Sequence, residues 1–345
     1  MPKPLGKNGA FVLGPARCGS TMVSEILNLH PDVLSVSEFI AMQGTRSLLP
    51  GKISGAAYWK QLSKQTPAMR LMLTPETALR EFLYRTEMGR FPIDDVPPLL
   101  AGTLPMLSDD PDALFDALAT TVPNQPRQAV EAHHEMAFER LMELCGGRVW
   151  VERSGLSLRF ARVLPRLFPA AKFVMLYRDG RDVALSLRAF KPVRGTIWMW
   201  SWFRKLGADP IDLEHPIGRS RNMRLREQVS GPAPLIRWML NHPPPLKACA
   251  EFWSDLTLRT LPEFLALPSE RRHVVRYEDL TAEPRAALLE LAKFLAVETP
   301  EDWLAKAVRI PKTLEPRWKR LEPAVQKDLT DWTAEAREAV DRKLA

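Results

Sequence analysis

The stretch "GPARCGST", residues 14–21, follows an apolar run at 10–14, "AFVLG", that predicts a buried strand. A helix is expected to begin near Ser20, directly after this loop. The two glycines of the stretch permit a tight turn. The backbone N–H groups of residues 18–21 would then face an anion at the positive end of the helix dipole. The stretch therefore predicts an α/β fold with a phosphate-binding loop after its first strand. A glycine-containing turn without a ligand is the alternative from this segment alone.

The loop departs in one respect from the Walker pattern, which is Gly, four residues, Gly, Lys and Ser or Thr. Ser20 stands at the position of the lysine, and Arg17 inside the loop is its only cation. The usual partner of the β- and γ-phosphates of a triphosphate is therefore missing. This argues against a kinase or NTPase, which stays open as an alternative function.

Five apolar runs rich in β-branched or aromatic residues predict the strands of one sheet: 10–14, 32–37, 148–152, 172–177 and 273–277. Periodic segments predict helices at 20–29, 156–168, 180–190, 248–266, 284–296 and 328–344. Apolar strands that alternate with helices favour a parallel sheet covered on both faces. We therefore predict a three-layer α/β protein with a central parallel sheet of about five strands.

Two long insertions interrupt this rhythm, at 40–147 and 191–247; both are rich in proline, and the second is also rich in tryptophan and arginine. In an open parallel sheet, ligands bind beyond the carboxyl ends of the strands. Insertions that follow strands can form helical caps over a substrate pocket at this edge. Because no linker divides the chain, we predict a single domain over 1–345 that contains both insertions.

The chain of 345 residues has a formal net charge of +7, which fits a polyanionic ligand or basic residues on solvated faces. The segment "RSRNMRLR" at 219–226 keeps open a nucleic-acid-binding protein, whose binding would weaken steeply with salt. Cys18, Cys145 and Cys249 show no spacing typical of a zinc site or a disulfide framework. No apolar run approaches the ~20 residues of a membrane span. We expect a cytoplasmic protein without a transmembrane segment.

A second informative stretch is "KFVMLYRDGRDVALSL" at 172–187. Arg178 would end a strand, Asp179 can cap the following helix, and Ser186 lies about two turns inside that helix. A forked guanidinium at this position suits a second phosphate. Surface ion pairs among Arg178, Arg181 and Asp182 are the alternative.

These stretches, with "LHPDVLSVSEF" at 29–39 and "VVRYEDLTAEPRAALLELAKFL" at 274–295, resemble in order and spacing the sulfotransferases that use 3′-phosphoadenosine 5′-phosphosulfate (PAPS). The resemblance implies transfer of a sulfuryl group from PAPS to a hydroxyl, with an amine as the alternative acceptor group, without a metal ion. The product would be adenosine 3′,5′-bisphosphate. PAPS has a single 5′-phosphate esterified to sulfate, which accounts for a loop without the lysine of triphosphate-binding proteins.

The resemblance also implies which residues bind PAPS. The 5′-phosphosulfate loop would be Arg17, Cys18, Gly19, Ser20 and Thr21, where Cys18 replaces the usual serine and removes a hydroxyl donor. Arg178 and Ser186 would hold the 3′-phosphate. The segment "KTLEPRWKRL" at 312–321 resembles the part of these enzymes that closes over the adenosine. Trp318 would stack there, with Lys319 or Arg317 as phosphate contacts; an amphipathic tail is the alternative.

Sulfuryl transfer builds negative charge on the leaving bridging oxygen, as phosphoryl transfer does, and Arg17 is placed to stabilise it. Glu38, 21 residues after Arg17 and next to the second predicted strand, is the predicted base that takes the proton of the acceptor. The tyrosine- and glycan-modifying branches of the family have a catalytic glutamate at a comparable position. His133 and His134 are the rival bases, as in the cytosolic branch, and a surface carboxylate is the alternative for Glu38.

The sequence leaves alternatives open for the acceptor-binding residues and for the class of acceptor. Arg153, in "VERSG", is expected either to meet the sulfate or acceptor or to form a structural ion pair. The stretch "TIWMWSWF" at 196–203 predicts either an apolar wall of the acceptor site or core packing. A small molecule, a lipid, a carrier-bound acyl chain and a saccharide all remain possible as the hydroxyl-bearing partner, and we expect no nucleic-acid partner.

Overall fold

A computed structural model describes residues 5–65, 69–70, 82–208, 233–313 and 315–344. Its strands are β1 (Gly9–Leu13), β2 (Val33–Ser37), β3 (Lys52–Ile53), β4 (Gln128–Ala129), β5 (Val149–Arg153), β6 (Lys172–Tyr177) and β7 (Arg272–Arg276). Five of them form a parallel sheet in the order β2-β5-β1-β6-β7. β3 and β4 form a separate antiparallel pair. The five predicted strands and the parallel sheet are confirmed.

The sheet is buried on both faces, which explains why its strands are apolar at successive positions. In β1, Phe11 and Leu13 point into one buried cluster, whereas Ala10 and Val12 point into another on the opposite face. Phe11 packs against Trp150 with ring centroids 5.1 Å apart. Because successive side chains of a strand point to opposite faces, one continuous apolar run supplies both layers of the core.

Helices cover both faces. Those of the described residues are α1 (Ser20–Asn28), α2 (Phe39–Gln43), α3 (Gly55–Ser63), α4 (Pro98–Gly102), α5 (Pro111–Thr121), α6 (Val130–Cys145), α7 (Leu164–Leu167), α8 (Gly180–Ala189), α9 (Lys191–Lys205), α10 (Ala233–Asn241), α11 (Leu246–Leu265), α12 (Tyr277–Ala282), α13 (Pro284–Leu295), α14 (Glu301–Ala307) and α15 (Pro323–Leu344). The buried side chains of α1, α13 and α14 pack on one face of the sheet, and those of α6, α8, α11 and α15 pack on the other. The three-layer α/β prediction is confirmed.

The helix predicted at 156–168 is wrong. The segment forms a 3₁₀ helix at Ser157–Phe160 and the short helix α7. The Ser157 hydroxyl donates to the carbonyl of Val12 over 2.9 Å and accepts from the N–H of Gly14 over 3.2 Å, which ties the segment to β1. Pro165 also lacks the N–H that a continuous helix would need. The C-terminal helix begins at Pro323, five residues before the predicted 328.

Parallel pairing of β1 with β6, with Leu13 opposite Met175, brings the ends of these two strands to one edge of the sheet. The loop at 14–19 and Arg178 follow these ends and are therefore neighbours in space. Within the described ranges, no helix is both long and apolar enough to cross a membrane.

Candidate active site

The loop between β1 and α1 adopts an uncommon backbone conformation. Ala16, Arg17 and Gly19 have positive φ angles of 65°, 57° and 94°. At Gly19, a Cβ atom would lie 2.5 Å from Cδ2 of Tyr277, so the close approach of this ring requires glycine. Non-glycine residues with positive φ each cost of order 1–3 kcal/mol and occur mostly where the surrounding structure imposes them, often at functional sites.

The first turn of α1 presents its N–H groups without a side-chain cap. The first N–H groups of a helix have no partner within the helix and attract anions. Ser20 and Thr21 line the cavity in front of this turn. The Cys18 side chain instead points into the core below α1, and burial raises the pKa of its thiol to about 11. Only the backbone of Cys18 is therefore available to a ligand.

The side chain of Arg17 connects the two stretches that the sequence singled out. Its Nε donates to Oγ of Ser186 over 3.1 Å, and its guanidinium lies 4.4 Å from the ring centroid of Phe190. Ser186 belongs to α8, which follows β6 and is capped by Asp179 through the N–H of Arg181. The structure thus brings the loop cation and the helix hydroxyl together.

Arg178 lies beside the loop. Its Nη1 is 3.5 Å from the carbonyl oxygen of Arg17, and its Nη2 is 3.8 Å from Oδ2 of Asp182. The guanidinium stacks on Tyr277 at 4.1 Å from the ring centroid. Its Nε is buried and has no hydrogen-bond partner. A buried donor without a partner is costly, so this atom is suited to an acceptor supplied by a ligand.

Glu38 follows β2 and also has a positive φ, of 55°. Its N–H donates to the carbonyl of Arg153 over 2.7 Å. One carboxylate oxygen accepts from Nη1 of Arg153, and the other accepts from the N–H of Gly155 over 2.9 Å. These contacts fix the carboxylate at the cavity wall, where its side chain stays 24% exposed.

Arg153 is buried at the end of β5, and its guanidinium donates hydrogen bonds to three side chains of neighbouring elements. Besides Glu38, it donates from Nε to Oγ of Ser24 over 2.8 Å and from Nη2 to Oγ of Ser37 over 3.2 Å. The structural ion pair that the sequence offered as one alternative is present, and Arg153 also lines the cavity. Its contact with the sulfate or acceptor stays a prediction.

Glu152 lies on the opposite face of β5 and is fully buried. Its Oε1 accepts from the N–H of Ile40 over 3.2 Å and from the hydroxyl of Ser154. Ser154 Oγ also accepts from the N–H of Ala41 over 3.0 Å, so Glu152 and Ser154 together cap α2 directly after Glu38. Burial is the main cause that raises the pKa of Glu152 to about 7.

A cavity of about 460 Å³ opens in front of α1, Glu38 and Arg153. Both insertions contribute to its wall: Met42, Phe82 and Met106 come from the first, and Val193 and Thr196 from the second. A cavity of this volume is within the usual range for a small-molecule site.

The two rival histidines do not line this cavity. His134 is fully buried, with one ring nitrogen 2.6 Å from the hydroxyl of Tyr58 and the other hydrogen-bonded to the carbonyl of Ser47. Burial lowers its pKa to about 4. His133 is also buried, between Oε1 of Gln125 and the carbonyl of Ile53. Both rings are thus engaged in the packing of the first insertion.

Trp318 and Lys319 lie in a 3₁₀ helix at Arg317–Arg320, next to α8. The N–H of Trp318 donates to Oδ1 of Asp182 over 3.2 Å, and the guanidinium of Arg181 lies 3.7 Å from a ring centroid of Trp318. The Lys319 side chain is exposed. This segment therefore approaches the Arg178 side of the site.

None of the tryptophans of 196–203 lines the cavity. Trp200 is buried against Phe252, whereas Trp198 and Trp202 pack against each other and against Trp238. Only Thr196 of this stretch reaches the cavity wall. These contacts favour core packing over the acceptor wall for the tryptophans of this stretch, because α9 directs them to other neighbours.

Sequence reasoning missed three contacts of the site: Ser24 on Arg153, Gly155 on Glu38 and Tyr277 on Arg178. Gly155 directly follows "VERS", and Tyr277 belongs to the stretch at 274–295, so both lie in segments that carry the sequence signals described above. The arginine-rich segment 219–226 lies outside the described residues. Elsewhere, no group of three or more His, Cys, Asp or Glu side chains among the described residues could hold a metal ion.

The sequence model described as "Sulfotransferase family" matches residues 10–230, which is more than half of the chain. The protein therefore belongs to the sulfotransferase family. A comparison with curated protein sequences gives no significant match.

Several solved structures are similar to this chain. The sulfotransferase domain from the Synechococcus PCC 7002 olefin synthase is 16% identical, with a TM-score of 0.45 over 99% of this chain and 97% of that chain. The sulfotransferase domain from the curacin biosynthetic pathway is 15% identical, with a TM-score of 0.46 over 99% and 98%. A sulfotransferase from Mycobacterium avium is 14% identical, with a TM-score of 0.42 over 99% and 77%.

Proposed function

We propose that the protein transfers the sulfuryl group of PAPS to a hydroxyl of an acceptor, with an amine as the alternative acceptor group, and releases adenosine 3′,5′-bisphosphate. The observation that carries this proposal is the meeting of two anion-binding elements at one edge of the sheet. One is the uncapped first turn of α1, and the other is Arg178 with its unpartnered buried Nε. Membership in the sulfotransferase family supports the same activity.

The hydrogen-bond donors of the site fit a nucleotide that has one phosphate group at the 5′ position of its ribose and another at the 3′ position. Residues 17–21 would hold the 5′-phosphosulfate through backbone N–H groups and the hydroxyls of Ser20 and Thr21. Arg178 and Ser186 would hold the 3′-phosphate. The 3.5 Å contact between Arg178 and the carbonyl of Arg17 supports binding of both groups by one ligand. Trp318 and Lys319, next to α8, would cover the adenosine.

PAPS would supply the sulfuryl group and a phosphate leaving group. Arg17 would stabilise the negative charge that develops on the bridging oxygen when the S–O bond breaks. Glu38 would take the proton of the acceptor hydroxyl as its oxygen bonds to sulfur. Arg153 and the N–H of Gly155 hold that carboxylate in place. The buried, hydrogen-bonded rings of His133 and His134 support Glu38 rather than a histidine as the base.

The proposal is tested by calorimetric titration with adenosine 3′,5′-bisphosphate, adenosine 5′-monophosphate and ATP with magnesium. We expect the bisphosphate to bind more tightly than ATP. Arg178→Ala should weaken bisphosphate binding by about 10- to 150-fold, the ~1.5–3 kcal/mol of a hydrogen bond to a charged group.

Adenosine 5′-monophosphate lacks the 3′-phosphate, so Arg178→Ala should leave its affinity unchanged. Arg148→Ala is the matched control, because this exposed arginine lies next to the other end of β5. Tighter binding of ATP than of the bisphosphate would contradict the assigned phosphate sites. So would an equal loss of affinity for the bisphosphate and the monophosphate in Arg178→Ala.

A further inference from the structure

The charged residues that line the cavity beside Glu38 belong to one part of the fold. They are Arg17, Glu25, Glu38, Arg153 and Arg159. All five come from the phosphate loop, from α1, or from the segments at the ends of β2 and β5. None of the described residues that the insertions contribute to the lining is charged. The charges therefore come from the elements that carry the proposed transfer residues, and the insertions contribute uncharged side chains.

The wall supplied by the insertions is apolar. Thr196 is the only described residue of the insertions that brings a side-chain hydroxyl to the cavity. Met42, Met69 and Met106 contribute flexible thioether side chains, which adapt their shape to apolar ligands. At Gly102, a Cβ atom would lie 3.4 Å from Cβ of Glu38, so the absence of a side chain leaves room directly beside the proposed base.

We infer that the acceptor is a hydroxylated aliphatic chain, which brings its hydroxyl to Glu38 and lays its apolar body against Met42 and Met106. This inference rests on the proposed function. Contact with methionine, leucine and phenylalanine side chains would stabilise the complex by removing apolar surface of both partners from water. The charged residues at the strand ends bind the hydroxyl, and the apolar residues of the insertions select the chain.

A saccharide fits this wall poorly. Its hydroxyls would lose their water partners on binding, and each polar group that is buried without a hydrogen bond weakens the complex. Among the described residues, Phe82 and Phe190 are the aromatic side chains of the lining, which limits the stacking surface for a sugar ring. Arg17 covers one face of Phe190, and Trp198, Trp202 and Trp238 pack against one another away from the lining.

The inference is tested with a homologous series of primary alkanols from ethanol to decanol, together with methyl glucoside. We expect kcat/KM to rise about fourfold for each added methylene until the chain fills the cavity, from about 0.8 kcal/mol per buried CH₂. A flat series, or preference for the glucoside, would overturn the inference even if adenosine 3′,5′-bisphosphate binds normally. Comparison of a free alcohol with a hydroxyacyl pantetheine thioester of the same chain length distinguishes an acceptor that binds as a free molecule from one that is attached to a carrier.

A substitution at Met106 tests where the aliphatic chain of the acceptor binds. Met106→Gln keeps the length of the side chain but adds an amide. We expect it to lower kcat/KM for decanol about tenfold and to change kcat/KM for ethanol little. Met88→Gln is the control, because Met88 is 80% exposed and does not line the cavity. Equilibrium dialysis of decanol gives a readout that is independent of turnover. If the bisphosphate fails to bind, the proposed function is wrong. Decanol binding that Met106→Gln does not weaken overturns the inference.

Discussion

The buried carboxyl of Glu152 should make the stability of the protein depend on pH. Burial raises the pKa of Glu152 from 4.5 to about 7, with a contribution from the charge of Glu38. The N–H of Ile40, the hydroxyl of Ser154 and the charge of Arg153 act in the opposite direction. Because Glu152 is 0% exposed, solvent does not screen this effect.

The sign follows from proton binding in the two states. Below pH 4.5 the carboxyl is protonated in both the folded and the unfolded chain. Between pH 4.5 and 7 the unfolded chain releases this proton while the folded protein keeps it, so the free energy of unfolding falls as pH rises. Above pH 7 both states are ionised and the dependence ends. At about 1.4 kcal/mol per pKa unit, the loss between pH 5 and pH 8 is about 2–3 kcal/mol.

Glu152→Gln removes this titration and keeps an oxygen that can accept from Ile40 and Ser154. Urea unfolding of both proteins at pH 5 and pH 8 measures the effect. We expect the variant to gain about 2–3 kcal/mol relative to the wild type between these two pH values. Glu87→Gln, at an exposed position, controls for the loss of one carboxylate. If Glu152→Gln and the wild type lose stability equally with pH, Glu152 is not held protonated by burial and the reasoning is refuted.

Two further predictions concern the active site and the thiols. Glu38→Gln should lower kcat by about 10²–10⁴ with unchanged affinity for adenosine 3′,5′-bisphosphate, measured by steady-state kinetics and calorimetry; activity equal to that of Glu87→Gln would exclude Glu38 as the base. A thiol reagent at pH 8 should modify Cys145 before the buried Cys18 and Cys249, whose pKa values burial raises to about 11 and about 12. Peptide mapping after brief labelling measures this order, and early modification of Cys18 would contradict a thiol that points into the core.

Much of the fold could be predicted from local patterns. The apolar runs identified all five strands of the main sheet, because strands buried on both faces carry apolar residues at successive positions. The helix predicted at 156–168 was wrong, because the hydroxyl of Ser157 bonds to β1, a contact between residues far apart in the chain. Periodicity within a segment carries no information about such a contact.

The sequence by itself determined the chemistry at the edge of the sheet: a glycine-containing loop without a lysine, an arginine after β6, and a carboxylate after β2. Each of these signals is local, because a loop between a strand and a helix is placed by its immediate neighbours. Only the tertiary structure decided that Arg153 and Gly155 hold Glu38, that Tyr277 packs on Arg178, and that both histidines are enclosed by the first insertion. It also decided that the tryptophans of α9 pack away from the cavity while methionines line it. The physical reason is that side-chain direction in the insertions depends on packing against elements far away in sequence, which no local pattern records.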